Sequence, residues 1–216
     1  GPYKFVEFKR GDRIVFEANK NWWNGKPRWD KVTVRWITSG PARTAALLAG
    51  DVDVIASVPP TDAARLDADQ NYNLATTASS RVIYWSLDVS REHAEHITAK
   101  DGSPIPNPLR DARARRAISL GIDRNDIVDE VMEGMAVPAN QIVAEGFGGH
   151  DSSIEVPDYD PEGAKELLAD AGYPDGFKLT LHATNDRYVN DAKLAQALAQ
   201  MLSRIGLDVT VETMPV

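Results

Sequence analysis

The sequence predicts an α/β protein. Two observations carry the prediction: strand-like alternation and helical spacing of apolar residues follow one another along the chain, and caps, glycines and prolines punctuate the changes. Composition agrees with it, since 216 residues at 43% hydrophobic and 26% charged are ordinary for a globular chain. That length suits one large domain or two small ones.

The elements follow in order. "YKFVEFK" and "RIVFEAN" read as strands joined through Gly11 and Asp12, a hairpin. "NWWNGKPRWD" is turn-rich, and "KVTVRWI" alternates Val32, Val34 and Trp36 against Lys31, Thr33 and Arg35, a strand with one buried face. Ser39 or Gly40 followed by Pro41 starts a helix that ends at Gly50. "DVDVIA" then reads as a strand, so residues 31–56 form a candidate βαβ unit before the chain stops at Pro59 and Pro60. Thr61 is placed to cap a helix to Asp69, and "NYNLATT" and "SRVIYWSLDVS" read as strands, the second apolar enough to be central. Residues 91–108 are polar and proline-bearing, an exposed loop with room for a helical turn.

From Asp111 the pattern is helical, with Ala114, Ala117, Ile118 and Gly121 on one face. Asp123 caps "RNDIVDEVMEG", and Asp160 caps "PEGAKELLADAGY" with Pro161 in its first turn. "FKLTLHA" is a strand, "DAKLAQALAQMLSRIG" a helix ended by Gly206, and "LDVTVETM" a strand. The second half is again β and α in alternation.

A net charge of −8 and a pI near 5.0 provide no basic footprint for nucleic acid or an anionic membrane surface. The absence of cysteine excludes disulfides, thiolate metal sites and cysteine nucleophiles. No run approaches the roughly 18 apolar residues that span a bilayer. Gly1 is no natural translation start, and "GPYKFVEFK" and "VTVETMPV" both read as strands, so both ends look cut from something longer. A missing leader sequence therefore says nothing of the compartment.

Five ordered motifs carry a resemblance: "GPYKFVEFKRGDRIVFEANKNWW", "GDVDVI", "NPLRDARARRAISLGIDR", "YDPEGAKELLADAGYPDGF" and "NDRYVNDAKLAQALAQMLSRIGLDV". The chain resembles, end to end, a central piece of the extracellular solute-binding proteins of the peptide/nickel class of ABC transporters. It is most similar to members that take dipeptides, oligopeptides or glutathione. The resemblance implies an α/β fold of the periplasmic-binding-protein type II kind, two lobes with mixed sheets flanked by helices. Residues 1–85 would be part of the first lobe, bearing the chain ends, and residues 86–216 most of the opposite lobe, with "VIYWSLD" as the crossing. It also implies a periplasmic setting, or an extracellular one at the membrane of a Gram-positive cell. The partners implied are a small peptide or similar solute and the permease subunits, with no cofactor, no metal and no nucleic acid, and the membrane met only through the permease.

In the resemblance the loop after "GDVDVI" lines the interlobe cleft, so Ala56, Ser57 and Val58 would offer backbone groups to an extended peptide. The plainer reading is a stiff turn. Tyr84 and Ser86 alternate against Trp85 and match cleft-bordering places; many relatives carry an acidic residue where Ser86 stands, and core packing is the alternative for both aromatics. Arg187 and Asp191 in "TNDRYVND" match a cleft-facing loop, while Asn185, Asp186, Asn190 or Asp191 could equally cap the helix that follows. His93 and His96 have helical spacing that suits a metal, but a solvated loop is the better reading, and "GFGGH" is a weak phosphate loop. Arg110, Arg113, Arg115, Arg116 and Arg124 read as a solvated face pairing with carboxylates. The function expected is solute capture between two lobes, closure by a hinge and delivery to a membrane permease. The rival is a hydrolase-type enzyme, yet His93, His96, His150 and His182 stand beside no recognisable nucleophile motif. A third reading is a pure interaction module.

Overall fold

Tyr3–Lys9 (β1) and Arg13–Ala18 (β2) pair antiparallel through a turn at Gly11, whose φ of +72° suits glycine. Lys31–Arg35 (β3) adds antiparallel to β2, giving a sheet in the order β1-β2-β3. A register shift between Phe5 and Glu7 inserts Val6 as an extra residue in β1. The register places Tyr3, Phe5, Phe8, Ile14, Phe16, Val32 and Val34 on one face, and Trp36 meets Phe8 edge-on at 5.9 Å. The computed structural model describes residues 1–216, which part into two compact units, Gly1–Val58 and Pro59–Val216.

The buried face expected of "KVTVRWI" is a correction. Phe8 is 55% exposed, Val34 46% and Trp36 45%. Alternation decides which side chains share a face; burial needs a second layer laid over them. Helix α1 (Gly40–Leu48) begins as expected, with the Ser39 hydroxyl accepting from the Ala42 amide at 3.4 Å and Pro41 in the first turn.

Unit 2 opens with α2 (Pro60–Ala68). Its N-cap is Pro59 and no side chain caps it, so the expected Thr61 cap is corrected: Pro60 already occupies the first helical position, which needs no N–H. Ile97–Thr98 (β4) pairs antiparallel with Lys178–Thr184 (β5), and β5 pairs in parallel with Asp208–Met214 (β6). The sheet order is β4-β5-β6, a mixed sheet. Between β5 and β6 runs α6 (Asp191–Arg204), so β5-α6-β6 is the parallel strand-helix-strand unit of this chain. Gly206, at φ +93°, ends α6 and turns the chain into β6.

Two further helices complete the layer. Asp111 caps α3 (Ala112–Leu120) through the Arg113 amide at 2.8 Å, and Asp160 caps α5 (Pro161–Asp170) through the Gly163 amide at 2.9 Å. Ala114 and Ala117 of α3 and Ala164 of α5 are fully buried, and small side chains let these helices come close. Phe177, Leu168, Leu198, Leu202, Ile205 and Leu207 fill the core they share with β5 and α6. Asp123 caps α4 (Arg124–Asp126), which passes into a π-helical turn at Ile127–Val131, where the Met132 amide reaches back to Ile127. The single helix expected over this stretch is thus two short turns.

Three expected strands are absent: "DVDVIA", "NYNLATT" and "SRVIYWSLDVS" join no ladder. Consequently residues 31–56 form no βαβ unit. A strand is held by hydrogen bonds to a neighbour, and neither sheet takes these segments into its ladder. The amides of Asp51 and Val52 instead return to Ala46, closing the end of α1. The polar stretch 91–108, expected as loop, contributes β4 and a 3₁₀ turn at Pro108–Arg110. Asn107 inside it is 4% exposed, donating to the Asp88 and Arg91 carbonyls and accepting from the Leu109 amide.

Candidate functional site

The expected site residues fall in both units. In unit 1, Arg43 of α1 spreads its guanidinium over three backbone carbonyls: Nη1 donates to Ile37 at 3.0 Å and Thr38 at 2.9 Å, and Nη2 donates to Ser57 at 2.8 Å. Ser57 stands in the left-handed region at φ +54°. A non-glycine residue is held there only when its surroundings over-determine it, and here the Arg43 bond does so. Ala56 and Ser57 are exposed and Val58 is half-buried. Of the main-chain groups expected to face a ligand, the Ser57 carbonyl is therefore already engaged. Nothing local in the sequence marks Arg43, because it sits within a helix; the one signal is a long basic side chain a few residues after the turn at Thr38 and Ser39.

In unit 2, Tyr84 is 65% exposed, and Trp85 and Leu87 pack against the core while Ser86 is exposed. The alternation expected for this segment survives without a strand ladder. Core packing is the role the structure gives Trp85, and Tyr84 and Ser86 face outward.

The segment 185–190 follows the C-terminal end of β5, where open α/β sheets present ligand loops. Asp191 organises it. One carboxylate oxygen accepts the Thr184 hydroxyl at 2.6 Å and the amides of Arg187 and Tyr188 at 3.0 and 3.1 Å, and the other accepts the Ala192 amide at 2.9 Å. Burial would raise its pKa, but these donors outweigh burial and hold the carboxyl below its ordinary value. Asn190 takes the N-cap position at φ +55° without a capping bond, and its amide group donates to the Val131 carbonyl at 2.7 Å. The guanidinium of Arg187 lies over the Tyr188 ring at 5.6 Å. Arg187 and Asp191 are thus brought together through the Arg187 main chain, leaving the guanidinium at the surface.

The histidines separate. His93 Nδ1 meets the Ile105 carbonyl at 3.1 Å and His150 Nδ1 the Val143 carbonyl at 3.0 Å, while His96 packs edge-on against His182 at 4.6 Å. No group of three His, Asp or Glu side chains converges to hold a metal. Among the arginines, Arg113 pairs with Asp111 at 2.6 Å, but Arg115 and Arg124 donate to backbone carbonyls at the helix ends. The carboxylate pairing expected of that run holds for Arg113 alone of these three, because the other two find carbonyls closer to hand. A cavity of about 300 Å³ at the start of α4, lined by Arg124, Pro138 and Tyr159 among others, includes none of the expected site residues. No helix is long and apolar enough to cross a membrane.

Residues 1–216 match the family model described as bacterial extracellular solute-binding proteins, family 5, middle. The chain is 29% identical over 215 residues to the glutathione-binding protein GsiB of Salmonella paratyphi A, covering 99% of this chain and 39% of that protein. It superposes with a TM-score of 0.72 on the periplasmic binding protein DppA from Helicobacter pylori in complex with the peptide STSA, at 25% identity, covering 100% of this chain and 38% of that one. A dipeptide binding protein from a Pseudoalteromonas species, in complex with Met-Leu, shares the fold at a TM-score of 0.79 and 22% identity, covering 100% of this chain and 40% of that one. The chain spans about two fifths of the length of the relatives it matches.

Proposed function

The chain belongs to the bacterial extracellular solute-binding proteins, family 5, and from that premise we propose that it is the part of an ABC importer's binding component that captures a short peptide or peptide-like solute. The solute is held and handed to permease subunits, and no bond in it is made or broken. In this reading residues 1–85 belong to the first lobe and residues 86–216 to most of the opposite lobe. The confinement of one sheet to residues 3–35 and of the other to residues 97–214 supports a division somewhere between them, and the two compact units of the structure part earlier in that range, at Val58 and Pro59.

The observation that carries the proposal is how the polar groups of the candidate site are used. Asp191 and Arg43 each spend their hydrogen bonds on shaping one loop, so each loop is shaped before any ligand arrives, which lowers the ordering cost of binding. A hydrolase would need a base held against a nucleophile; a site whose charged groups are committed to its own backbone suits holding. The ligand groups proposed are the main chain of Ala56, Ser57 and Val58, the outward Tyr84 and Ser86 supported by Trp85, and the Arg187 guanidinium on the loop that Asp191 sets. The setting proposed is the periplasm, or the outside of the cytoplasmic membrane in a Gram-positive cell.

The test is calorimetric titration of the native polypeptide with Met-Leu, Ser-Thr-Ser-Ala and glutathione, with the peptides recovered and examined by mass spectrometry. Saturable heat with every peptide bond intact is expected. Cleaved peptide would favour the hydrolase, and no heat with any probe would overturn the proposal.

A further inference from the structure

The Ser57 carbonyl is captured by Arg43 at 2.8 Å, and the Ser57–Val58 peptide bond is trans, as are all peptide bonds in the chain. In a trans peptide the C=O and N–H point in opposite directions, so fixing the Ser57 oxygen on the guanidinium fixes the Val58 N–H away from it. That N–H has no partner in the chain. Pro59 and Pro60 follow without N–H groups, so Val58 is the last main-chain donor before α2. Arg43 can hold this arrangement because its fork is anchored at the other end by the Ile37 and Thr38 carbonyls, and its Nε is buried with no partner of its own. The strain at Ser57, φ +54°, sits where such strain clusters, at loops that clamp ligands.

We infer that Arg43 is a positioning residue for the ligand loop: it holds Ser57 left-handed and aims the Val58 N–H as the donor for a main-chain or terminal carbonyl oxygen of a peptide. The inference rests on the solute-binding reading above and adds to it which donor is used and what sets its direction. Lysine in place of Arg43 keeps the charge but offers one compact ammonium, which cannot bridge Ile37, Thr38 and Ser57 as a planar fork does.

The experiment is a titration of Met-Leu into the native polypeptide, wild type and Arg43→Lys, with amide hydrogen exchange followed at Val58. Wild type should bind, and binding should slow exchange at Val58. Arg43→Lys should bind about ten-fold more weakly, the worth of one hydrogen bond, and should lose the slowing at Val58. Wild type that binds while Val58 exchange is unchanged overturns the inference and leaves the solute-binding reading intact, and this measurement needs no variant to fold. Equal affinity in wild type and Arg43→Lys overturns it too. Wild type that binds neither Met-Leu nor glutathione overturns both.

Discussion

The Asp191 carboxylate accepts the Thr184 hydroxyl at 2.6 Å, tying the last residue of β5 to the first of α6 across the loop between them. The same oxygen takes the Arg187 and Tyr188 amides, so a single buried side chain fixes both ends of the loop and its path. A loop held from below can change its exposed residues without losing its shape.

Asp191→Asn should destabilise the chain by about 1–3 kcal/mol, because an amide group replaces an acceptor that faced several donors. Thr184→Val, which removes one donor from a carboxylate that keeps others, should cost less. Urea denaturation of the three proteins measures both. Equal midpoints would mean the loop is held by other contacts.

The pH dependence should carry the mark of Asp111. The Arg113 side chain, bonded to it, holds its pKa down from 3.8 to about 2. A depressed folded pKa contributes stability that is present above the unfolded value and lost as pH falls through the folded one. The stability difference between wild type and Asp111→Asn should therefore be constant at neutral pH and shrink as pH falls from about 4 to about 2. Chemical denaturation across that range reads it, and a constant difference would refute the assignment.

Gly176→Ala should be among the most damaging single-methyl changes. Gly176 lies at φ +72°, and a Cβ there would overlap the Gly206 carbonyl at the turn from α6 into β6. Left-handed strain and overpacking together cost on the order of 3 kcal/mol. Gly11→Ala, at a similar φ but in open space, bears the conformational cost alone, so its melting temperature should fall less.

The apolar face of the first sheet should report itself to a dye. Phe5 is 63% exposed and Phe8 55%, beside Val34 and Trp36, and contiguous apolar surface of this kind binds hydrophobic probes. The 216-residue chain should enhance the fluorescence of anilinonaphthalene sulfonate. Phe5→Ser with Phe8→Ser should reduce the signal with little change in the urea midpoint; an unchanged signal would place dye binding elsewhere.

Most helices were legible because their signals act within one turn. Asp123 and Asp160 cap the helices expected of them, Ser39, one of two starts offered, caps α1, the helical pattern expected from Asp111 begins there, and Gly50 and Gly206 end two helices as foreseen. The Gly11 hairpin and strands β3, β5 and β6 were equally plain. The candidate site was legible only as segments: Ala56 to Val58, Tyr84 to Ser86 and Arg187 to Asp191 were marked by resemblance, while nothing local showed that Arg43 holds Ser57.

The sequence by itself determined the α/β class, the order of the helices and the side of each strand on which its apolar residues lie, since periodicity and capping are properties of neighbouring residues. Tertiary structure alone decided whether "DVDVIA" and "SRVIYWSLDVS" became strands, whether the face of Phe8 and Val34 was covered, that Asn107 in a polar loop was buried, and that His96 met His182 rather than His93. Each of those outcomes depends on atoms distant in sequence. A ladder needs a second strand, burial needs a second layer, and a buried amide needs carbonyls brought to it by the fold.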